Sequence, residues 1–271
     1  MHAWNWQTWN EMPYLTCSLL EEWPHGFFTR LFSPLAPIAL VEVLEPDALA
    51  YRVKQIHSNI VLGTNEIGDK GLARPENSDR SHTYPEADGL VAEKAKQAVW
   101  VASADCSPVL IAEKTTGKVA AVHSGWRGTA AEIVPKAIAR FQEAFPEISL
   151  DNLRIAIGPA IAGEVYQVSE EVAAEVCSTI IKDKSIADLS GDKSILQSLQ
   201  ERENPPVLPD PEPGRVRLDV PRTIYIQLMQ LGISPEQVAI APHCTYQTPE
   251  SFFSYRRDRL KKVQWSGIVS L

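Results

Sequence analysis

Apolar residues in the first third of the chain come in short runs separated by prolines and polar clusters. Residues 14–20, 27–31, 38–44 and 51–56 are rich in β-branched and aromatic side chains and are punctuated by Pro34, Pro37 and Pro46. That pattern predicts four extended segments. Residues 63–85 are polar and carry several Gly, Asn, Asp and Ser, the composition of a long surface loop. The next block is better defined. Residues 98–104 and 108–112 are strand-like apolar runs on either side of Asp105 and Cys106, Thr115-Thr116-Gly117-Lys118 is a turn, and residues 119–123 form its partner strand, making a hairpin. Gly125-Trp126-Arg127-Gly128-Thr129 interrupts that strand. Thr129 is the expected N-cap of a helix over 130–145, which Pro146 stops.

Further along, residues 153–157 read as a strand ending at Gly158-Pro159, and residues 169–182 as a helix. Residues 183–214 hold many polar residues and five prolines, which predicts a loop excursion. A helix begins at Asp219 or Val220 with Pro221 in its first turn and runs to Leu231, with Gly232 beyond its end. Residues 238–241 read as a late strand. No repeat and no linker divides the chain, so residues 1–271 are expected to form one catalytic domain. Helices and strands mix without a βαβ rhythm, which favours the α+β class.

Composition narrows the partners. The 271 residues carry a formal net charge of −8, with 44% hydrophobic and 22% charged residues, the profile of a soluble globular protein. An acidic surface repels phosphate backbones and argues against a nucleic-acid partner, while a small anion still fits a locally basic pocket. Cys17, Cys106, Cys177 and Cys244 are far apart and form no CxxC pair, so they read as free thiols in a reducing compartment. The start of the chain lacks a basic, apolar leader, and no stretch has the length of a membrane span. Both point to the cytoplasm.

Three short runs carry the chemistry: Lys54-Gln55-Ile56-His57, Ser103-Ala104-Asp105-Cys106 and Ala121-Val122-His123-Ser124-Gly125. His57, Cys106 and His123 offer two imidazoles and a thiol, a ligand set that suits zinc or copper with one position left open. The competing reading is a Cys packed as a small hydrophobe and two histidines bonded to backbone. Asp105 either orients an imidazole or caps a turn. Arg127 offers a planar fork to phosphate or carboxylate at the start of a helix, or is simply solvated. Phe252-Phe253-Ser254-Tyr255-Arg256-Arg257-Asp258 alternates aromatics and arginines. It suits a flat base and an anion, or else is an edge strand with an Arg–Asp surface pair. His243-Cys244 is a rival metal pair. The dinucleotide GxGxxG, the phosphate-binding GxxxxGK[ST], GxSxG and the HxE…PCxxC deaminase signature are all missing from the sequence.

Taken together and in order, Gln55-Ile56-His57, Glu86-Ala87-Asp88-Gly89-Leu90-Val91, Ala104-Asp105-Cys106-Ser107-Pro108, Ala121 to Thr129, Ile157-Gly158-Pro159-Ala160-Ile161, Cys244-Thr245 and Phe252 to Asp258 resemble the laccase-domain family. These proteins are also called multicopper polyphenol oxidoreductases, and members are described as purine nucleoside phosphorylases with adenosine deaminase activity. The resemblance spans residues 25–258. It implies packed mixed sheets flanked by helices and a zinc (or copper) site at His57, Cys106 and His123. It also implies phosphorolysis of adenosine, inosine and methylthioadenosine, with deamination of adenosine; the partners are then purine nucleosides and phosphate. Arg127, Arg256 and Arg257 match family positions. That they and Tyr255 contact phosphate or nucleoside is our inference, as is a catalytic part for Asp105 and Arg127 beside Cys106 and His123. The chain departs from the family pattern at Leu31-Phe32-Ser33, at Ala162-Gly163-Glu164-Val165 and at Arg259-Leu260-Lys261-Lys262. Three rivals stay open: a copper-dependent phenol oxidase, a hydrolase using Cys106 and His123, and a metal- or nucleoside-binding module. At about two imidazoles per copper, six histidines fall short of a full multicopper set.

Overall fold

The apolar runs on either side of Asp105 and Cys106 become strands Gln97–Ser103 and Ser107–Glu113, both buried on both faces apart from the half-buried Ala102. That is why they read as nearly continuous hydrophobic stretches instead of alternating ones. The computed structural model describes residues 2–75, 83–181 and 192–271. Val99 and Val101 point into one cluster, with Leu15, Phe27 and Ile268 from their own sheet and Leu90, Leu110, Ala112 and Ala121 from a second sheet. Ala98 and Trp100 point the other way, toward Phe28 and the helical residues Leu40 and Val41. On the second sheet, Val109, Ile111 and Val122 turn outward to meet Ile138, Phe141, Ile224 and Leu228. Two sheets therefore lie face to face, with helix Pro37–Leu44 outside one and helices Ile133–Ala144, Glu170–Ser178 and Val220–Gln230 outside the other.

The first sheet runs Trp4–Trp9, Met12–Cys17, His25–Phe28, Gln264–Val269, Gln97–Ser103, Leu49–Tyr51. The second runs Val238–Ile240, Leu153–Ile157, Ser107–Glu113, Val119–Ser124, Gly89–Ala92, Val61–Gly63. Each mixes parallel and antiparallel neighbours. A small third sheet joins Gln167–Ser169, Arg215–Leu218 and Val207–Pro209. The arrangement is α+β with packed mixed sheets flanked by helices. Its decisive detail is a crossing: the chain leaves the first sheet at Ser103 and enters the second at Ser107. Asp105 and Cys106 sit at the seam.

Several local expectations change. Residues 37–44 are a helix, not a strand: the run is apolar at nearly every position and so carries no period, and Pro37 presets its first turn. The expected loop at 63–85 contains the helix Thr64–Ile67 and a 3-10 turn, Gly68–Gly71, before residues 76–82, which lie outside the described set. The single helix expected over 130–145 is two, Trp126–Ala130 and Ile133–Ala144, separated by Glu132 in the left-handed region at φ 56°. Thr129 does not cap the second. Its hydroxyl donates back to the Gly125 carbonyl at 3.0 Å and lies 2.9 Å from the Ser124 hydroxyl. Of the expected excursion at 183–214, residues 183–191 lie outside the described set. The rest holds helix Asp192–Gln200 and edge strand Val207–Pro209, where proline is tolerated because no inner ladder needs its missing N–H. Among the described residues, no helix is long and apolar enough to cross a membrane.

Candidate metal centre and its cleft

Three elements bring the ligand atoms together. His57 ends the segment after Leu49–Tyr51, Cys106 lies at the seam, and His123 lies near the end of Val119–Ser124. Pro108 pairs with His123 across the hairpin, so Cys106 and His123 converge despite their separation in sequence. The nitrogen and sulfur atoms of His57, Cys106 and His123 lie within 4.8 Å of one another. The two imidazole rings meet edge to face at 4.9 Å between centroids. Gly125 makes the approach possible: a Cβ there would fall 2.8 Å from the Cys106 sulfur and 3.4 Å from the His57 ring.

Asp88 holds this corner, and sequence reasoning gave it no role. It is fully buried. Its carboxylate accepts hydrogen bonds from the backbone N–H groups of Ile56 (3.2 Å), His57 (3.0 Å) and Ser58 (2.6 Å) and from the Ser58 hydroxyl (2.8 Å). It also meets His123 Nδ1 at 2.9 Å. One side chain thus shapes the loop that carries His57, which sits at φ 60°, and fixes the ring of His123 with Nε2 left over for a ligand. The only available signal was its place in the Glu86-to-Val91 motif. Gln55 ties the same loop down: its amide exchanges two 2.7 Å hydrogen bonds with the backbone of Ala102, as a strand neighbour would.

The electrostatics favour a charge pair between Cys106 and His123, in which a bound metal ion would take the place of the imidazole proton. Burial alone would raise the Cys106 thiol, but the charge of His123 and hydrogen bonds from both imidazoles outweigh it and hold the thiol well below its usual range. Burial would likewise discharge His123, and the Cys106 charge and the Asp88 hydrogen bond reverse that. Asp88 feels burial first, yet His123 and Ser58 bring its carboxyl down to about 2. A thiolate and two imidazoles, one of them oriented by a buried carboxylate, match the donor set and outer support of a zinc or copper site. Among the described residues, no other group of three such donors comes together. The rival His243-Cys244 pair is spent elsewhere. His243 packs against Trp6 and Phe252, and the Cys244 sulfur accepts from the Ala162 N–H at 3.3 Å.

The ligand set opens on a cleft of about 660 Å³, lined also by Arg52, Lys54, Tyr166, Tyr255, Arg256 and the 259–263 loop. Asp105 lies on its wall at φ 93°, but its carboxylate turns to the Thr245 hydroxyl (2.8 Å) and the Arg256 backbone N–H (2.7 Å). It secures the short helix Tyr255–Asp258 and contacts no imidazole, so the expected orienting role belongs to Asp88. Arg256 reaches the cleft, its guanidinium 4.8 Å above the ring of Tyr166 and bonded to the Gln167 carbonyl. Tyr166, another residue without a sequence-level role, has its phenol pushed up to about 12 by burial and then by the Cys106 charge. Tyr255 is half exposed on the rim. Arg127 is exposed and stacked on Trp126 at 4.2 Å, outside the cleft lining; its helix spans only five residues, too short for the anion site its sequence suggested. Arg257 is not available for substrate. All five of its donors are used, on both Asp258 oxygens and on the carbonyls of Thr245, Tyr246 and Phe252.

Residues 39–269 match the family model described as multi-copper polyphenol oxidoreductase laccase. A purine nucleoside phosphorylase of Synechocystis sp. is 51% identical over 98% of this chain and 97% of its own length. A purine nucleoside phosphorylase of Corynebacterium glutamicum is 31% identical over 84% of this chain and 76% of its own. The crystal structure of YlmD from Geobacillus stearothermophilus superposes with a TM-score of 0.77 at 22% identity, covering 98% of both chains, which bears on the fold alone.

Proposed function

The chain belongs to the multi-copper polyphenol oxidoreductase laccase family, and from that premise we propose that it is a cytoplasmic purine nucleoside phosphorylase that also deaminates adenosine. The observation that carries the reading is the convergence of His57, Cys106 and His123 on a basic cleft, in a chain half identical to a relative named for that activity. We read residues 1–271 as one catalytic domain, with adenosine, inosine and methylthioadenosine as substrates and no nucleic-acid partner. His57, Cys106 and His123 would hold zinc, with copper as the alternative; a bound ion there supplies Lewis acidity to a reacting oxygen.

The protein's own groups divide the remaining work. In phosphorolysis, a phosphate oxygen bonds to the anomeric carbon of the ribose, the bond from that carbon to the purine nitrogen breaks, and the purine leaves with a proton. Arg256 is placed to hold the attacking anion through its charge, and Tyr166 and Tyr255 offer flat faces to a base. Asp88 keeps His123 in one tautomer and the His57 loop in one shape. In deamination, water adds at C6 of adenine and ammonia departs, leaving inosine. Arg127 is assigned an outer role, steering anions toward the cleft. The test is direct: the pure protein incubated with adenosine and phosphate is expected to yield adenine with ribose 1-phosphate, and inosine with ammonia. Absence of adenine, inosine and hypoxanthine on chromatography rejects the reading.

One observation favours a second reading. Asp88, His123 and Cys106 are arranged as acid, imidazole and thiol, the order used by cysteine hydrolases. Full activity in protein stripped of metal, with Cys106 trapped by an electrophile during turnover, would favour it.

A further inference from the structure

Three side chains bring a hydroxyl to the lining of the cleft: Ser103, Tyr166 and Tyr255. The Ser103 hydroxyl is closed off from solvent and cannot reach a ligand. Tyr255 is half exposed on the rim, where bulk water competes for its hydroxyl. Tyr166 is both sheltered and reachable. It follows the 3-10 turn Gly163–Val165 and leads into strand Gln167–Ser169. Its backbone is fixed from both sides: its N–H donates to the Gly163 carbonyl at 3.3 Å, and its carbonyl accepts from the Leu218 N–H at 3.0 Å.

The hydroxyl, by contrast, is unspent. Among the described residues it has no hydrogen-bond partner, and unlike that of Ser103 it stays open to the cleft. One face of the ring is covered by the Arg256 guanidinium, 4.8 Å from the centroid. Burial first, and then the Cys106 charge, push the phenol up to about 12; the Cys106 charge acts ahead of those of Arg256 and Asp105, which puts the oxygen in the field of the metal end. Tyr166 therefore keeps its proton across the neutral range and is a standing donor. A sheltered donor with nothing to bond is costly to the folded chain, and a ligand in the cleft removes that cost.

We propose that the Tyr166 hydroxyl donates a hydrogen bond to N7 of the purine and stabilises the negative charge that gathers there as the bond to the anomeric carbon breaks. This role rests on the phosphorylase reading given above and supplies the leaving-group side of that reaction. The electron pair of the broken bond passes to the purine and spreads over its ring nitrogens. N9 sits against the sugar, while N7 lies on the outer edge, where a protein donor can reach it. Tyr166 keeps its own proton throughout, and the proton that the purine carries away comes from water. Arg256 meets the incoming phosphate from beside the same ring, so two neighbouring groups serve the two ends of one displacement.

Single-turnover rates of the full chain on inosine and on 7-methylinosine, each with phosphate, test this. A methyl group at N7 puts a positive charge on the imidazole ring of the purine, which then departs without building up negative charge and needs no donor. Tyr166→Phe removes one oxygen that bonds to nothing in the protein, so melting temperature and metal content are expected to stay unchanged. The variant is expected to cleave inosine about 10²-fold more slowly, and 7-methylinosine within about three-fold of the unmodified chain. Equal losses on the two substrates, or an unchanged rate on inosine, overturn the inference and leave the activity standing. Should the unmodified chain cleave inosine but refuse 7-methylinosine, the variant decides: refusal relieved by Tyr166→Phe supports a hydroxyl at N7, and refusal that persists overturns it. If the unmodified chain cleaves neither nucleoside, the activity itself falls, and the inference with it.

Discussion

Arg256 and Arg257 are neighbours on one short helix and are held differently, Arg257 spending all five donors on the fold while Arg256 lines the cleft with one guanidinium bond to the Gln167 carbonyl, and the regions on either side of them differ in the same way. At the metal end, Asp88 gathers five hydrogen bonds that fix a loop and an imidazole, and Gly125 lets a sulfur press against the backbone. Beyond the Arg257 anchor, residues 259–263 carry exposed cations and half-exposed apolar side chains. The first region is over-determined, as chemistry that needs fixed atoms requires; the second keeps its charged side chains in solvent. A hydrogen-bond inventory therefore separates residues that build the cleft from those that face its contents, where residue type alone does not.

Breaking the metal end is expected to have the largest effect. Cys106→Ser or His123→Ala should lower phosphorolysis at least about 10³-fold and empty the site, read by steady-state rates and elemental analysis. A variant that keeps both metal and rate would remove the distinction between the two regions. Asp88→Asn comes next. An amide keeps the volume but presents an N–H₂ to donors that need acceptors, so metal affinity should fall about 10- to 100-fold, with a lower melting temperature.

The arginine pair sharpens the contrast at smaller cost. Arg257→Lys leaves at least two of five acceptors unmet and should cost about 1–3 kcal/mol in denaturant unfolding. Arg256→Lys should leave unfolding within about 0.5 kcal/mol and instead raise the KM for phosphate. Equal effects on unfolding from both would erase the assignment.

The smallest expected effect lies away from the cleft. His25 accepts the Cys17 N–H at 2.9 Å and donates to the Trp23 carbonyl at 2.8 Å, so it is held neutral. Burial depresses its pKa below the ordinary imidazole value of about 6.5. The unfolded chain then takes up a proton that the folded one refuses. The contribution is whole above about pH 6.5 and is lost as pH falls below it. Stability measured from pH 8 to 5 should decline, and His25→Gln should flatten that decline while leaving the metal content unchanged.

Some of this was legible before any coordinates. The strands around Asp105 and Cys106, the hairpin and the helix begun by Asp219 and Pro221 stand in local signals, namely apolar runs, turn chemistry and caps, whereas the convergence of His57, Cys106 and His123 was legible only through the family resemblance. Asp88 and Tyr166 were not legible as parts of the site, because a buried carboxylate and a phenol look ordinary in one dimension. Helix Pro37–Leu44 was misread for the same reason, since a run apolar all round has no period to betray its geometry.

By itself, the sequence determined which side chains carry donor atoms of the kind a metal takes and where the chain must turn, since donor chemistry and backbone preference belong to single residues and short neighbourhoods. The tertiary structure alone decided which carboxylate supports an imidazole and which one secures the helix that carries Arg256. Those roles depend on distances between segments 35 and 151 positions apart, Asp88 to His123 and Asp105 to Arg256, and such distances are set by how two sheets pack.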